Sequence, residues 1–211
     1  MVINRVRHPQ TCTFLRFLSA APQPSSSGAK PSFSLFVKPK VATPHFEVSR
    51  LLTTNLAELY YKRKEPDYTQ ESFLRGAMEA ASLCAEYITS NNWDGLSHLC
   101  TKDLVERIRD RCSEADLSQF KVTEGDVLCS FLHSALFSGK KIYQFNPGTV
   151  HGYFTAVVFF RTSQSLPYDL TPKEYLNKHI EDLLVCNITL TRTISPLGFW
   201  KITTLNYFTP S

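Results

Sequence analysis

Between residues 50 and 113 apolar side chains recur every three or four positions. From about residue 125 they alternate with polar ones or gather into short blocks rich in β-branched and aromatic residues. The first pattern predicts helices and the second predicts strands. In RLLTTNLAELYYKRK, residues 50–64, the residues Leu52, Leu56, Leu59 and Tyr60 form an i, i+4, i+7, i+8 stripe. Lys62, Arg63 and Lys64 follow it and Pro66 stops it. Such an amphipathic helix can pack its stripe on the domain, or lay it on an anionic membrane surface or a partner. A second helix is expected over 70–89. Thr69 is a suitable N-cap, and Phe73, Ala77, Ala80, Ala81, Cys84, Tyr87 and Ile88 share one face before Asn91 and Asn92 close it. A short helix over 93–100, capped by Asn92 or Asp94, and another over 102–113, capped by Thr101, complete the helical half. Leu104, Val105, Ile108 and Cys112 would face inward from the last.

The second half contains GDVLCSFLHSALFSG, KKIYQF, GYFTAVVFFRTS, LLVCNITLTRT and FWKITTLNYF. Residues 152–161 are apolar on both faces, as in a central strand. In 183–193, Leu184, Cys186, Ile188 and Leu190 alternate with Val185, Asn187, Thr189 and Thr191, as in a strand with one buried face. Asn146-Pro147-Gly148 marks a turn, and Pro196 with Gly198 marks the last one. Helices first and strands afterwards specify an α+β fold. Its N-terminal helices would pack on one face of a bent antiparallel sheet of about four strands.

Charge changes the picture of the N-terminus. Residues 1–46 hold six Lys or Arg and no acid, leaving 17 basic and 19 acidic residues in 47–211. The net +4 therefore belongs to the leader, and the body is slightly acidic, which argues against DNA as a partner. The leader also carries nine Ser or Thr, and Arg16 interrupts its apolar stretch TCTFLRFLSAA. A secretory signal needs an unbroken apolar core, whereas a mitochondrial presequence is Arg-containing, Ser-rich and acid-free. We expect a presequence over 1–18, with Arg16-Phe17-Leu18-Ser19 at its cleavage point. Residues 19–48, with five prolines in 19–46, are expected to be a disordered linker, and 49–211 a single domain. A basic arm on a protein of the cytosol is the alternative. No apolar run approaches the roughly 20 residues of a membrane-spanning helix.

Candidate chemistry is sparse. The six cysteines, at 12, 84, 100, 112, 129 and 186, form no CxxC, and five of them in the body suit reduced, packed thiols better than a disulfide frame. His98 and Cys100 are the one close His/Cys pair, two short of a zinc set. No phosphate-binding loop, dinucleotide fingerprint, HExxH or GxSxG is present. His133 or His151 near a carboxylate such as Asp126 would be needed for general-base chemistry. No cofactor and no metal is expected.

Four segments carry a resemblance: Phe73, Gly76, Ala77 and Ala80 on the second helix; Trp93 to Leu99; Leu166-Pro167; and Trp200-Lys201-Ile202. Over about 49–208 the chain resembles the family sharing the C-terminal domain of the mitochondrial inner-membrane import-motor anchor. Its matrix AAA protease-interacting branch is the most similar. The resemblance implies a cone-shaped, cystatin-like domain around a hydrophobic pocket, with Phe154, Phe160, Ile188 and Trp200 as the residues expected to line it. It implies no enzyme activity and a place in the mitochondrial matrix, peripheral to the inner membrane. The implied partners are the matrix AAA protease, newly imported inner-membrane precursors (the calcium uniporter's regulatory subunit among them) and anionic lipid. The 50–64 helix, with Leu52, Leu56, Leu59, Tyr60, Lys62, Arg63 and Lys64, would be the membrane or partner contact. Two alternatives are a subunit of the mitochondrial ribosome from the same superfamily, which should carry basic patches, and a small pocket enzyme of similar fold.

Overall fold

The computed structural model describes residues 33–36, 44–113, 122–138, 149–162, 174, 178–179 and 182–209. The expected presequence, the KKIYQF strand, the Asn146-Pro147-Gly148 turn and the Leu166-Pro167 connector lie outside them. Four helices precede four strands: α1 (Pro44–Lys62), α2 (Gln70–Thr89), α3 (Trp93–Leu99), α4 (Lys102–Cys112), β1 (Val127–Ser138), β2 (His151–Arg161), β3 (Leu183–Thr193) and β4 (Lys201–Phe208). The strands form one antiparallel sheet in the order β1-β2-β3-β4. This is the α+β arrangement expected from the sequence, with β2 in an interior position.

Local signals account for the helix ends. The Thr69 hydroxyl accepts the Ser72 N–H at 3.1 Å, and Asn92 Oδ1 accepts the Gly95 N–H at 2.9 Å, so each satisfies a donor that its helix leaves open. Asn91 adopts φ 54°, the left-handed conformation that ends a helix, and Asn92 N–H then bonds back to Tyr87 C=O at 2.8 Å. One face of α2 buries Phe73, Leu74, Ala77, Ala81, Cys84, Ala85 and Ile88; its small members let the helix lie close to the sheet. Gly152, Phe154, Ala156, Val158 and Phe160 of β2 lie on the helix-facing side with Leu184, Cys186 and Ile188 of β3 and Leu205 and Tyr207 of β4. Each fully buried Leu, Ile or Phe here contributes roughly 1.5–3 kcal/mol relative to exposure.

Both outer strands are covered, which blocks edge-to-edge pairing. On β1, the register slips between Leu132 and Ser134, a bulge that frees His133 C=O from the ladder side of the pair. Arg50 of α1 donates to that carbonyl, and Thr54 Oγ1 accepts the Ala135 N–H at 3.3 Å. On β4, Thr101 N–H bonds Ile202 C=O at 2.9 Å, and Ser34 forms an isolated antiparallel bridge with Phe208 at the far end.

Two boundaries differ from expectation. Helix α1 begins at Pro44 rather than residue 50, and Leu35 is wholly buried in the core. The stretch expected to be linker, 19–48, therefore reaches the body twice. Its prolines concealed this: Pro44 sits at a helix start, where its missing N–H is harmless, and Pro31 and Pro39 bracket a short extended segment.

Candidate functional site

Helix α1 presents two unlike faces. Thr54, Ala57 and Tyr61 are buried toward the sheet. Val48, Leu52, Leu56 and Leu59 fall within one sector on the other side and are 54% to 68% exposed. Tyr60 is partly exposed at the margin and meets Phe137 edge to face, ring centroids 5.0 Å apart. Lys62, Arg63 and Lys64 are exposed at the helix end. The periodicity thus marks the outer face, not the packed one. Thr54 and Ala57 are too small or too polar to be read from sequence as a packing face.

Two acids near this helix, Glu58 and Glu65, are engaged elsewhere. Glu58 accepts from Tyr68 Oη at 3.0 Å, and Glu65 accepts from Tyr61 Oη and from Arg192 Nη1 at 3.1 Å. Among the described side chains, the outer sector therefore carries Val48 and three leucines and no carboxylate, with Lys62, Arg63 and Lys64 exposed at the helix end.

A second feature lies between the start of α2, the end of α3 and the β3–β4 end of the sheet. It is a pocket of about 350 Å³ with walls from Tyr68, Phe73, Gly76, Leu99, Leu190 and Trp200 and with Glu65, Asp67 and Ser72 also on its lining. Of the four residues expected to line a pocket, the structure places only Trp200 there. Phe154 is fully buried behind it, 5.4 Å from the Phe73 ring and 5.5 Å from Trp200. Phe160 and Ile188 are also fully buried, and Phe160 packs toward Tyr207 at 6.4 Å. Those three point into the helix–sheet interface, which the helices fill, so their strand positions mark core rather than cavity.

Arg192 of β3 organises the pocket's edge. Its Nη1 also donates to Tyr61 Oη at 2.8 Å, its Nε to Gly198 C=O at 2.9 Å, and its guanidinium carbon stands 5.1 Å from the Trp200 ring centre. The end of α1 and the β3–β4 turn are thereby tied together, and that turn carries Phe199 at 94% exposure. Burial, with the neighbouring carboxylates Glu65 and Glu58, pushes the Tyr61 and Tyr68 hydroxyls far above the ordinary tyrosine range, so both stay protonated hydrogen-bond donors. No protein-family model matches the chain, and no curated protein matches it.

The residues considered for general-base chemistry do not converge. Asp126 binds Arg161 at 3.2 Å and Thr123 N–H at 2.9 Å at the start of β1, while His133 is seven residues along that strand, about 20 Å away at ~3.3 Å per residue. Among the described residues no histidine lines the pocket. Burial, then the Arg50 charge, pushes His133 down to about 4. An unfolded histidine takes up its proton near 6.5, so the stability associated with neutral His133 is complete above that pH and lost as pH falls toward 4. With its partial exposure discounted, the loss is of order 1–2 kcal/mol. Urea titrations at pH 7 and pH 4.5 should show His133→Gln reducing that difference; an identical pH dependence in both chains would refute the assignment.

Cys84, Cys100, Cys129 and Cys186 are buried, and the Cys84 and Cys100 sulfurs are 4.0 Å apart as thiols. Among the described residues no three His, Cys, Asp or Glu side chains are grouped to hold a metal ion. Among them also, no helix is long and apolar enough to cross a membrane.

Gly76 provides a probe of the pocket. A Cβ built there meets nothing within 4 Å, and the position lies in mid-helix. Gly76→Ala should therefore raise stability by about 0.5–1 kcal/mol through helix propensity alone. Thermal denaturation checks this; a loss of stability would show that the pocket wall closes on that position.

Proposed function

We propose that this chain is a non-enzymatic protein of the mitochondrial matrix that sits peripherally on the inner membrane and binds newly imported precursor proteins and the matrix AAA protease, assisting their sorting, processing or assembly. The observation that carries the membrane part is the outer face of α1. Four apolar side chains stand in solvent beside three cations, and no described element covers them. A face of that composition suits an anionic bilayer surface, where the leucines enter the acyl boundary and the cations meet headgroups. Phe199, on the turn that Arg192 holds beside the end of α1, adds an exposed aromatic ring at the same end. The protein partners rest on the resemblance of the Phe73–Ala80, Trp93–Leu99 and Trp200–Ile202 segments to the import-motor-anchor family, and the acid-free leader supports the compartment.

Proximity labelling by the full-length chain in living cells, read by mass spectrometry, tests the whole proposal. Enrichment of inner-membrane proteases and unassembled precursors is expected. Large-subunit ribosomal proteins, lost on ribosome depletion, would favour the ribosomal alternative instead. Cytosolic neighbours alone would overturn both.

A further inference from the structure

Residues 33–36 are held on the outer edge of β4 in a manner that recognises a backbone more than a sequence. Leu35 N–H donates to Tyr207 C=O at 2.8 Å, and Thr209 N–H to Phe33 C=O at 2.9 Å, as in a sheet ladder. The body adds three side chains aimed at the segment's main chain. Thr209 Oγ1 accepts Phe33 N–H at 2.9 Å, Asn206 Oδ1 accepts Phe36 N–H at 2.9 Å, and Arg111 Nε of α4 donates to Leu35 C=O at 3.0 Å. Asn206 is one of few buried polar residues. Of the segment's own side chains, Leu35 is fully buried, and Phe36 lies beneath the Arg107 guanidinium at 5.1 Å. An open depression of about 260 Å³, lined by Phe36, Arg107, Asp110 and Arg111, adjoins the Phe36 end.

We propose that the groove between β4 and α4 is a strand-addition site for an extended apolar segment of an unfolded polypeptide, and that Phe33–Phe36 is its internal occupant, displaced when such a segment binds. The main-chain contacts would be the same for any non-proline peptide, with an apolar side chain required at the Leu35 position and an aromatic one favoured beside it. The strap is short, and the prolines at 31 and 39 limit how far its pairing can extend. It competes because it is tethered: residues 37–43 join it to α1, which gives it an effective concentration on the order of millimolar. Masking a strand-addition site in this way also keeps the β4 edge from pairing with other chains. The groove lies on the opposite edge of the sheet from α1. The proposal takes from the functional reading only that the partner is an unfolded polypeptide.

The test uses the full chain and a fluorescein-labelled peptide of the sequence PSFSLFVKP, followed by anisotropy without lipid. The natural chain should bind it weakly. Leu35→Asp in the chain should release the strap and tighten peptide binding at least about tenfold, because the tethered competitor is removed. Asn206→Ala or Arg111→Ala in that background should reverse the gain, and the peptide PSFSDFVKP should not bind. A folded Leu35→Asp chain that binds no tighter than the natural one would overturn the proposal. Should that chain fail to fold, Ser34→Cys with Phe208→Cys locks the paired positions instead. Oxidised and reduced forms that bind the peptide equally would overturn it as well, whereas binding only after reduction would support it. No membrane enters the assay, so its failure is separate from a failure of α1 to bind vesicles.

Discussion

A chain carrying Leu52→Ser and Leu56→Ser should bind anionic vesicles about 100-fold more weakly than the natural chain while keeping its thermal midpoint within about 2 °C. The two halves of this expectation have one cause. Both leucines are more than half exposed, so the folded state loses little burial when they are shortened and made polar. On a bilayer the same side chains would each contribute at least ~1.5 kcal/mol of burial, and ~3 kcal/mol is about a factor of 100. Replacing Lys62, Arg63 and Lys64 by Gln should produce a different signature. The loss would be about 1 kcal/mol per cation and would vanish as salt is raised, since it acts through headgroup charge. Vesicle co-flotation with and without anionic lipid measures both. Unchanged flotation of the double-serine chain would remove α1 as a membrane contact. A drop of many degrees in its melting temperature would show instead that the stripe packs on the domain.

Arg192→Met is the substitution outside the hydrophobic core expected to cost the most stability, about 2–3 kcal/mol in urea denaturation. One guanidinium bonds Glu65, the Tyr61 hydroxyl and Gly198 C=O, and stacks on Trp200. Losing it leaves the partly buried Glu65 carboxylate without its cation, while Tyr61 Oη still donates to that carboxylate. The side chain of Glu65 retains 30% exposure, so water relieves part of the penalty, which places the value near the lower end for broken buried pairs. Arg192→Lys should recover only part of the loss, because an ammonium cannot serve three directions in one plane. Adding Glu65→Gln to Arg192→Met should give back part of the loss, since the stranded charge is then gone. A loss under about 0.5 kcal/mol for Arg192→Met would mean that the network is a surface ornament. Because the same contacts hold the Phe199 turn beside α1, Arg192→Met should also loosen that turn, seen as faster amide exchange at Leu197–Phe199.

How far the pattern of residues reaches is visible in particular elements. Helix α2 and strands β2 and β3 could be placed from sequence because a strong local signal and a tertiary need coincide in them. Thr69 and Asn91 mark the ends of α2, and its apolar stripe is the face that packs. The alternation in β3 is real from Cys186 onward, where one face is buried and the other half-exposed. Helix α1 shows the opposite case. Periodicity locates a helix there without saying which side meets the body, and a helix whose packed face is Thr54, Ala57 and Tyr61 carries its visible stripe outside. The pocket was misplaced for a related reason. Phe154, Phe160 and Ile188 have the composition of a cavity wall, but composition does not say where helices leave a gap. The gap falls instead where Gly76 supplies no side chain.

By itself the order of residues determined the α+β class, the existence and type of the helices, the interior position of β2 and the asymmetry of charge between leader and body. These depend on periods of 3.6 and 2, on caps and on counts, all of which are local. Only the tertiary structure decided that α1 turns its leucines outward, that Arg192 joins three separate segments, and that Leu35 returns to complete the core beside β4. Each of these depends on contacts between residues far apart in sequence: 127 positions for Arg192 with Glu65 and 170 for Asn206 with Phe36. Local pattern says which side chains want burial or a partner; the folded chain settles which of them meet.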